Sequence, residues 1–388
     1  MQNRIEKIIE LSNQGNDKFQ CELAGRYYKG LEVKQSYIDA AYWYTKACEK
    51  NNEMAQYNLS LMYLAGIGVN KDETFGLELL TKSADNGFAL AQLKLATFYE
   101  FGKYVKKSFA KAAEYYYKAA QKGNPVAQYN IAYCYRNGQG IEKNEVHAFN
   151  YDLKAAEQGF EKSMLSVSKC YRNGLGVNKD INSAIEWLKK LVSLNNTEAM
   201  IELGNVYETS EEPVKDLKQT FGLYLKAAEL NDKTGQRLIG LRYLGGYGLK
   251  KDSIKAVYWL TKASEQGDLT SQYDLALLYD LGEDVPQDYV KAVKYYQMAA
   301  DKNYAKAQCS LGYCYEKGLG VNADPVQAVY WYSKAAGNGN DLALYNLAVC
   351  YQTGKGVKKD LNKAVEYYKK SATNGNQKAK EALEKLNK

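Results

Sequence analysis

The sequence has a single histidine, four prolines and no apolar run long enough to cross a bilayer. One histidine excludes a His-rich zinc site, a two-His-one-carboxylate iron site and a pair of catalytic histidines within the chain. So few prolines leave no proline-rich linker or polyproline tract. The longest uncharged run, residues 54–70, contains Gln56, Asn58, Gly66 and Gly68, so no membrane insertion is expected. Arg4, Glu6, Lys7, Glu10, Asp17 and Lys18 leave no room near the start for the apolar core of a signal peptide. The seven cysteines form no C-x-x-C pair and are odd in number, which fits neither a disulfide framework nor a zinc finger. Reduced thiols and a cytoplasmic location are therefore expected. The net charge of +7 is modest and unevenly spread, so nucleic acid is not an expected partner.

Tyrosine is abundant: 36 residues, against nine Phe and four Trp. Tyr27, Tyr63, Tyr99, Tyr135, Tyr171, Tyr207, Tyr243, Tyr279, Tyr315 and Tyr351 recur every 36 residues without a slip. A fixed period of this length marks a repeat architecture. Four residues before each tyrosine stands an aliphatic residue, from Leu23 and Leu59 to Leu347. Eight residues before it stands a small one in every unit but the first, which has Phe19. Spacing of i, i+4 and i+8 is one stripe of an α-helix.

A second helix follows in each unit. Ala328, Trp331, Tyr332, Ala335 and Ala336 show its amphipathic spacing in the ninth. Between the helices lies a glycine turn such as Gly66-Ile67-Gly68; the first glycine occurs in nine units of ten and the second in six. Both glycines read as left-handed helix caps, and Asp72, Asn144, Asp180, Asp252 and Asp360 read as N-caps of the second helices. The chain is thus expected to be all-α: a single solenoid of ten helix–turn–helix units over 18–376, with a half-unit at 1–17 and a closing helix at 377–388.

The string from Ala343 to Ala372, A-x-Y-N-L-A-x-x-Y-x-x-G-x-G-V-x-x-D-x-x-x-A-x-x-Y-Y-x-x-A, resembles the Sel-one-like repeat, a relative of the tetratricopeptide repeats. The resemblance covers essentially the whole chain. It implies a right-handed α/α superhelix with first helices lining the concave face, and a scaffold or adaptor role in complex assembly or signalling. It also leaves room for a regulatory repeat region of a larger signalling protein such as a kinase. A secreted branch of the family with paired cysteines is associated with β-lactam binding or hydrolysis, but this chain lacks those pairs. An RNA-binding helical repeat is a further alternative, opposed by the acidic block described below.

Nothing in the chain reads as an enzyme or calls for a cofactor or metal. The glycine turns lack the strand and the G-K-[ST] of a phosphate loop. His147 occupies a position that is polar in eight of the nine other units, and no catalytic Cys–His pair can be built around it. Cys134, Cys170, Cys314 and Cys350 each precede an anchor tyrosine and read as small packing residues.

Helical projection puts the residues six and two before the anchor tyrosine, and the one after it, on the arc opposite the buried stripe. The candidate partner-binding residues there are Tyr57, Tyr129, Tyr133, Arg136, Arg172, Tyr273, Asp280, Tyr313 and Tyr345, together with Asp274. The alternative for the position six before the tyrosine is packing between neighbouring first helices. Residues 263–290 contain no Lys or Arg and seven Asp or Glu, whereas 101–150 sum to +5. Opposed patches of this kind would orient an extended peptide from a protein partner. Exchanging Arg136 and Arg172 for Glu is expected to spare the core. A monomer is expected. Leu191-Val192, where other units carry small pairs, and the turn Ser210-Glu211-Glu212-Pro213 are expected to loosen or bend the solenoid between the fifth and sixth units.

Overall fold

Helices of 12 or 13 residues are marginal alone in water, so each must be stopped cleanly and packed on a neighbour. Asn52 accepts a hydrogen bond from the Ala55 N–H at the start of the first helix Glu53–Ala65. Gly66 ends that helix at φ 71°, its N–H donating to the Met62 carbonyl. Asp72 then opens the second helix, Glu73–Asp85, by accepting from the Phe75 N–H. The pattern runs from the first pair, Asp17–Lys29 and Tyr37–Cys48, to the tenth, Asp341–Thr353 and Leu361–Thr373. Gln2–Asn13 precedes the pairs and Gln377–Leu386 follows them. The computed structural model describes residues 2–211, 214–247 and 250–386, and among them there are 22 helices and no strand.

The two glycines of the turn have different jobs, which corrects the reading of both as caps. The first is the left-handed cap. The second, as at Gly68, Gly140 and Gly320, lies against the backbone that opens the preceding repeat's second helix. A Cβ there would overlap Tyr37, Phe109 or Tyr289 respectively. Close backbone approach, as much as positive φ, demands glycine at that point.

The stripe expected on the first helices is the core. Leu23, Leu59, Leu95, Ile131, Val167, Leu203, Ile239, Leu275, Leu311 and Leu347 are buried. Alanines on the second helix, such as Ala119 and Ala120, let the next first helix approach closely. At the corresponding place in the fifth repeat Leu191 is fully buried. Glu212 and Pro213 of the altered turn lie outside the described residues, and Ser210 caps its helix in an extended conformation.

A buried glutamine locks successive repeats together. Seven residues before the anchor tyrosine, Gln92 Nε2 donates to the Ala84 carbonyl at 2.9 Å, and Gln272 and Gln308 repeat the bond to Ser264 and Ala300. The Gln308 Oε1 accepts from Asn338 Nδ2 at 2.9 Å. Each such residue adds a second hydrogen bond to a helix-end carbonyl that already accepts a backbone N–H, from Gly87, Gly267 or Asn303.

The chain divides into two compact units, Met1–Leu191 and Val192–Lys388. The first holds the opening helix, repeats one to four and most of the fifth. The second holds the remaining repeats and the closing helix.

Candidate partner-binding surface

In six repeats the residue after the anchor tyrosine does not simply point outward. Sixteen residues later, on the second helix of the same repeat, stands a fully buried side chain that meets it. In the first compact unit, Tyr116 donates its hydroxyl to Glu100 Oε2 at 2.5 Å. In the second, Tyr296 donates to Asp280 Oδ2 at 2.9 Å, Tyr332 to Glu316 Oε2 at 3.0 Å and Tyr368 to Gln352 Oε1 at 2.7 Å. Tyr224 divides its contact between Asn205 Oδ1 at 2.6 Å and Glu208. Burial pushes the Tyr224 phenol up to about 12, so these hydroxyls act as donors, not acids.

Repeat four inverts the pair. Asp152 stands where the other repeats carry Tyr or Leu, and Arg136 stands where an acid or amide is usual. The Asp152 side chain is fully buried and bonded to the half-buried Arg136 guanidinium. Ser166 Oγ donates to Asp152 Oδ2 at 2.6 Å, Ser163 Oγ to Oδ1 at 3.0 Å, and Arg136 also donates to Ser166 Oγ at 2.8 Å. Burial raises the Asp152 carboxyl, with the serine hydroxyls and Arg136 pulling against it. The expectation that Arg136→Glu spares the core is therefore corrected. That substitution would set a second carboxylate against a buried one.

The tyrosines six before the anchor are half-buried and pack on their neighbours. Tyr57 meets Phe88 at 5.4 Å between ring centroids, Tyr129 meets Phe160 at 5.5 Å, Tyr273 meets Tyr304 at 5.5 Å, and Tyr345 meets Tyr368 at 5.7 Å. Tyr133 and Tyr313, two before the anchor, differ: they are 45% and 46% exposed. In the first unit, helix Pro125–Asn137 brings Tyr129, Tyr133 and Arg136 together, and a half-buried Arg172 sits on Glu161–Asn173. In the second, Leu269–Leu281 carries Tyr273, Asp274 and Asp280, while Tyr313 and Tyr345 belong to the two following first helices. Burial pushes the Asp274 carboxyl up to about 6, with Arg237 and Lys306 opposing and Asp268 reinforcing.

The other titratable candidates are the cysteines and the single histidine. All seven cysteines are free, and burial pushes the Cys134 thiol up to about 11 and the Cys309 thiol to about 12, out of the reactive range. His147 is exposed and stacks on Tyr135 at 5.1 Å. Among the described residues no group of three or more His, Cys, Asp or Glu could hold a metal ion. No described helix is long and apolar enough to cross a membrane.

Sequence reasoning missed the glutamine lock and the pairing across sixteen residues. Both were visible in principle, since Gln20, Gln56, Gln92, Gln128, Gln236, Gln272 and Gln308 share one position of the period.

Ten successive segments match the model of the Sel1 repeat: 18–52, 53–88, 89–124, 125–160, 162–196, 197–232, 234–268, 269–304, 305–340 and 341–376. No curated protein matches the chain by sequence. Among solved structures, the chain is similar to a protective antigen present in uropathogenic Escherichia coli strains displaying an SLR fold. That similarity is 30% identity over 98% of this chain and 83% of the other, with a TM-score of 0.73. A Sel1 repeat protein from Oxalobacter formigenes is 27% identical over 80% of this chain and 90% of its own, with a TM-score of 0.68.

Proposed function

Since the chain belongs to the Sel1 repeat family, whose members are generally protein–protein interaction scaffolds, we propose that it is a non-enzymatic cytoplasmic adaptor. It holds a protein or peptide partner on its first-helix face during complex assembly or signalling. The observation that carries this reading is the exposure of Tyr133 and Tyr313 at the same register of the period. Around them the neighbouring side chains are held by internal bonds, Arg136 to Asp152 in one unit and Glu316 to Tyr332 in the other. An aromatic side chain on a stiff frame loses little entropy when covered, and tyrosine is enriched in binding hot spots. Tyr57, Tyr129, Tyr273 and Tyr345 shape the walls beside them, Arg172 supplies positive charge, and Asp274 and Asp280 supply negative charge.

Affinity capture with the full chain, followed by mass spectrometry, tests the reading through a comparison of variants. Tyr133→Ala and Tyr313→Ala should lose a captured protein that the parent retains, at about 2 kcal/mol of binding per hot spot. Circular dichroism should be unchanged, because exposed substitutions cost within about 0.5 kcal/mol. Identical captured sets from parent and variants would remove the first-helix face as the site.

A further inference from the structure

The second-helix face of repeats seven to nine carries a surface that the reading above does not use. The helices are Ser253–Glu265, Tyr289–Ala300 and Pro325–Gly337, all within the second compact unit. At the second position of each stands an aliphatic residue, Ile254, Val290 and Val326, exposed by 84%, 68% and 63%. One turn further on come Tyr258, Lys294 and Tyr330, the tyrosines also exposed. A turn beyond those, Lys262 and Lys334 lie over the Tyr258 and Tyr330 rings at 5.7 and 5.0 Å. The solvent side of three consecutive second helices is thus apolar and basic. Their only carboxylate is Glu265, in the last turn of the first of them.

The equivalent face in the first compact unit is mixed: helix Tyr37–Cys48 has the same pattern in Ile38, Tyr42 and Lys46, with Lys46 paired to Glu49 at 3.1 Å, but the two second helices after it do not continue the row. Helix Glu73–Asp85 presents Thr74, Glu78 and Lys82, and helix Phe109–Gln121 presents Ala110, Glu114 and Lys118. There Glu114 and Lys118 pair at 2.6 Å. An isolated exposed aliphatic residue needs no explanation, but three in register with unopposed lysines do. Lys255 and Lys291 pair with the capping Asp252 and Asp288 at 3.7 and 3.1 Å, whereas among the described residues no salt bridge holds Lys262, Lys294 or Lys334.

We propose that Ile254, Val290, Val326, Tyr258 and Tyr330 form a docking surface for an acidic amphipathic helix of a partner protein. The charge complement is set by Lys262, Lys294 and Lys334, all exposed. The aliphatic row crosses the helices with one residue per repeat. Each of these second helices packs on the first helix between it and the next, so a partner helix laid across the row would meet it with apolar anchors along one face and charged residues beside them. An anionic bilayer is the poorer match. The row offers only one aliphatic group per helix, so little apolar area would reach the hydrocarbon layer even with the lysines turned to the headgroups. These residues are distinct from Tyr133 and Tyr313, so loss of one surface leaves the other intact.

The test uses the full chain and a capped synthetic helical peptide with leucine at every seventh position and glutamate flanking it. A lysine-for-glutamate counterpart serves as control, and phosphatidylserine–phosphatidylcholine vesicles supply the lipid arm. Binding of the acidic peptide should weaken at least about tenfold in Val290→Glu/Val326→Glu, as expected on losing apolar anchors. It should also weaken in Lys262→Glu/Lys334→Glu, and the basic peptide should bind neither parent nor variant. The milder Val290→Ser/Val326→Ser variant, with circular dichroism, separates lost binding from lost folding. Acidic-peptide affinity unchanged in the variants overturns the proposal. So do vesicle binding that these substitutions abolish without any peptide binding, and failure of the parent to bind the acidic peptide.

Discussion

Repeats three and four have the same helix lengths, the same left-handed glycine at the end of the first helix and the same core stripe, yet they solve one contact with opposite chemistry. Repeat three places Tyr116 under Glu100, a neutral donor meeting a carboxylate near the surface. Repeat four places Asp152 under Arg136, with the charge at the bottom and its counter-ion above. The first arrangement buries an aromatic ring and leaves the charge partly wet. The second buries a charge and depends on every donor around it. The contact is therefore conditional in repeat four and forgiving in repeat three.

The largest expected effect comes from breaking the dependent pair. Arg136→Leu should destabilise the protein by about 3–5 kcal/mol in urea unfolding, because it leaves a buried carboxylate with only serine donors. Arg136→Glu with Asp152→Tyr rewrites repeat four in the chemistry of repeat three, and should recover all but about 1 kcal/mol of that loss. If Arg136→Leu unfolds at the same urea concentration as the parent, the pair is not what holds this contact.

That pairing shows what could be read from the chain and what could not. The period of Tyr27 to Tyr351 and the aliphatic residues four before them specify helix phase, and phase is enough for the architecture. Phase says where Cα and Cβ point, not where a long side chain ends. Arg136 leaves its helix on the outer arc, as read, but its guanidinium turns back to a residue on the next helix. A glutamine at a buried register looks like noise in an apolar pattern, and its use as a carbonyl clamp appears only when successive repeats are stacked. Exposure separated Tyr133 and Tyr313 from the half-buried Tyr57, Tyr129, Tyr273 and Tyr345, a distinction that periodicity does not contain.

A smaller difference between the same two repeats lies in their turns. Gly140 opens onto the backbone of Phe109, whereas repeat three has Tyr104 at that register with φ 62° and its ring against Phe98 at 5.0 Å. Gly140→Ala should cost about 2 kcal/mol or more from the left-handed conformation and the displaced neighbour together. Tyr104→Ala gives up only an aromatic contact, about 0.5–1.5 kcal/mol. Thermal midpoints falling in the opposite order would mean that the turn of repeat four relaxes freely. Smaller again, Tyr116→Phe should cost about 1 kcal/mol by removing the hydroxyl bond to Glu100 while the ring keeps its burial. A zero effect in urea unfolding would mean water replaces the phenol without penalty.

The subtlest expected effect concerns a half-buried carboxylate whose counter-charge is less intimate than that of Asp152. Burial pushes Asp274 up to about 6, and the opposing charges of Arg237 and Lys306 only moderate this. An unfolded aspartate titrates near about 3.9. Between those values the folded chain holds a proton that the unfolded chain has released, so stability falls as pH rises through the window from about 4 to about 6. Below the window both states are protonated, and above it both are ionised and the full penalty persists. Asp274→Asn cannot ionise and removes the slope. Its thermal midpoint relative to the parent should therefore climb between pH 4 and pH 6.5 and then stay level. A difference that stays constant over that range would place Asp274 in contact with water or a firm counter-ion.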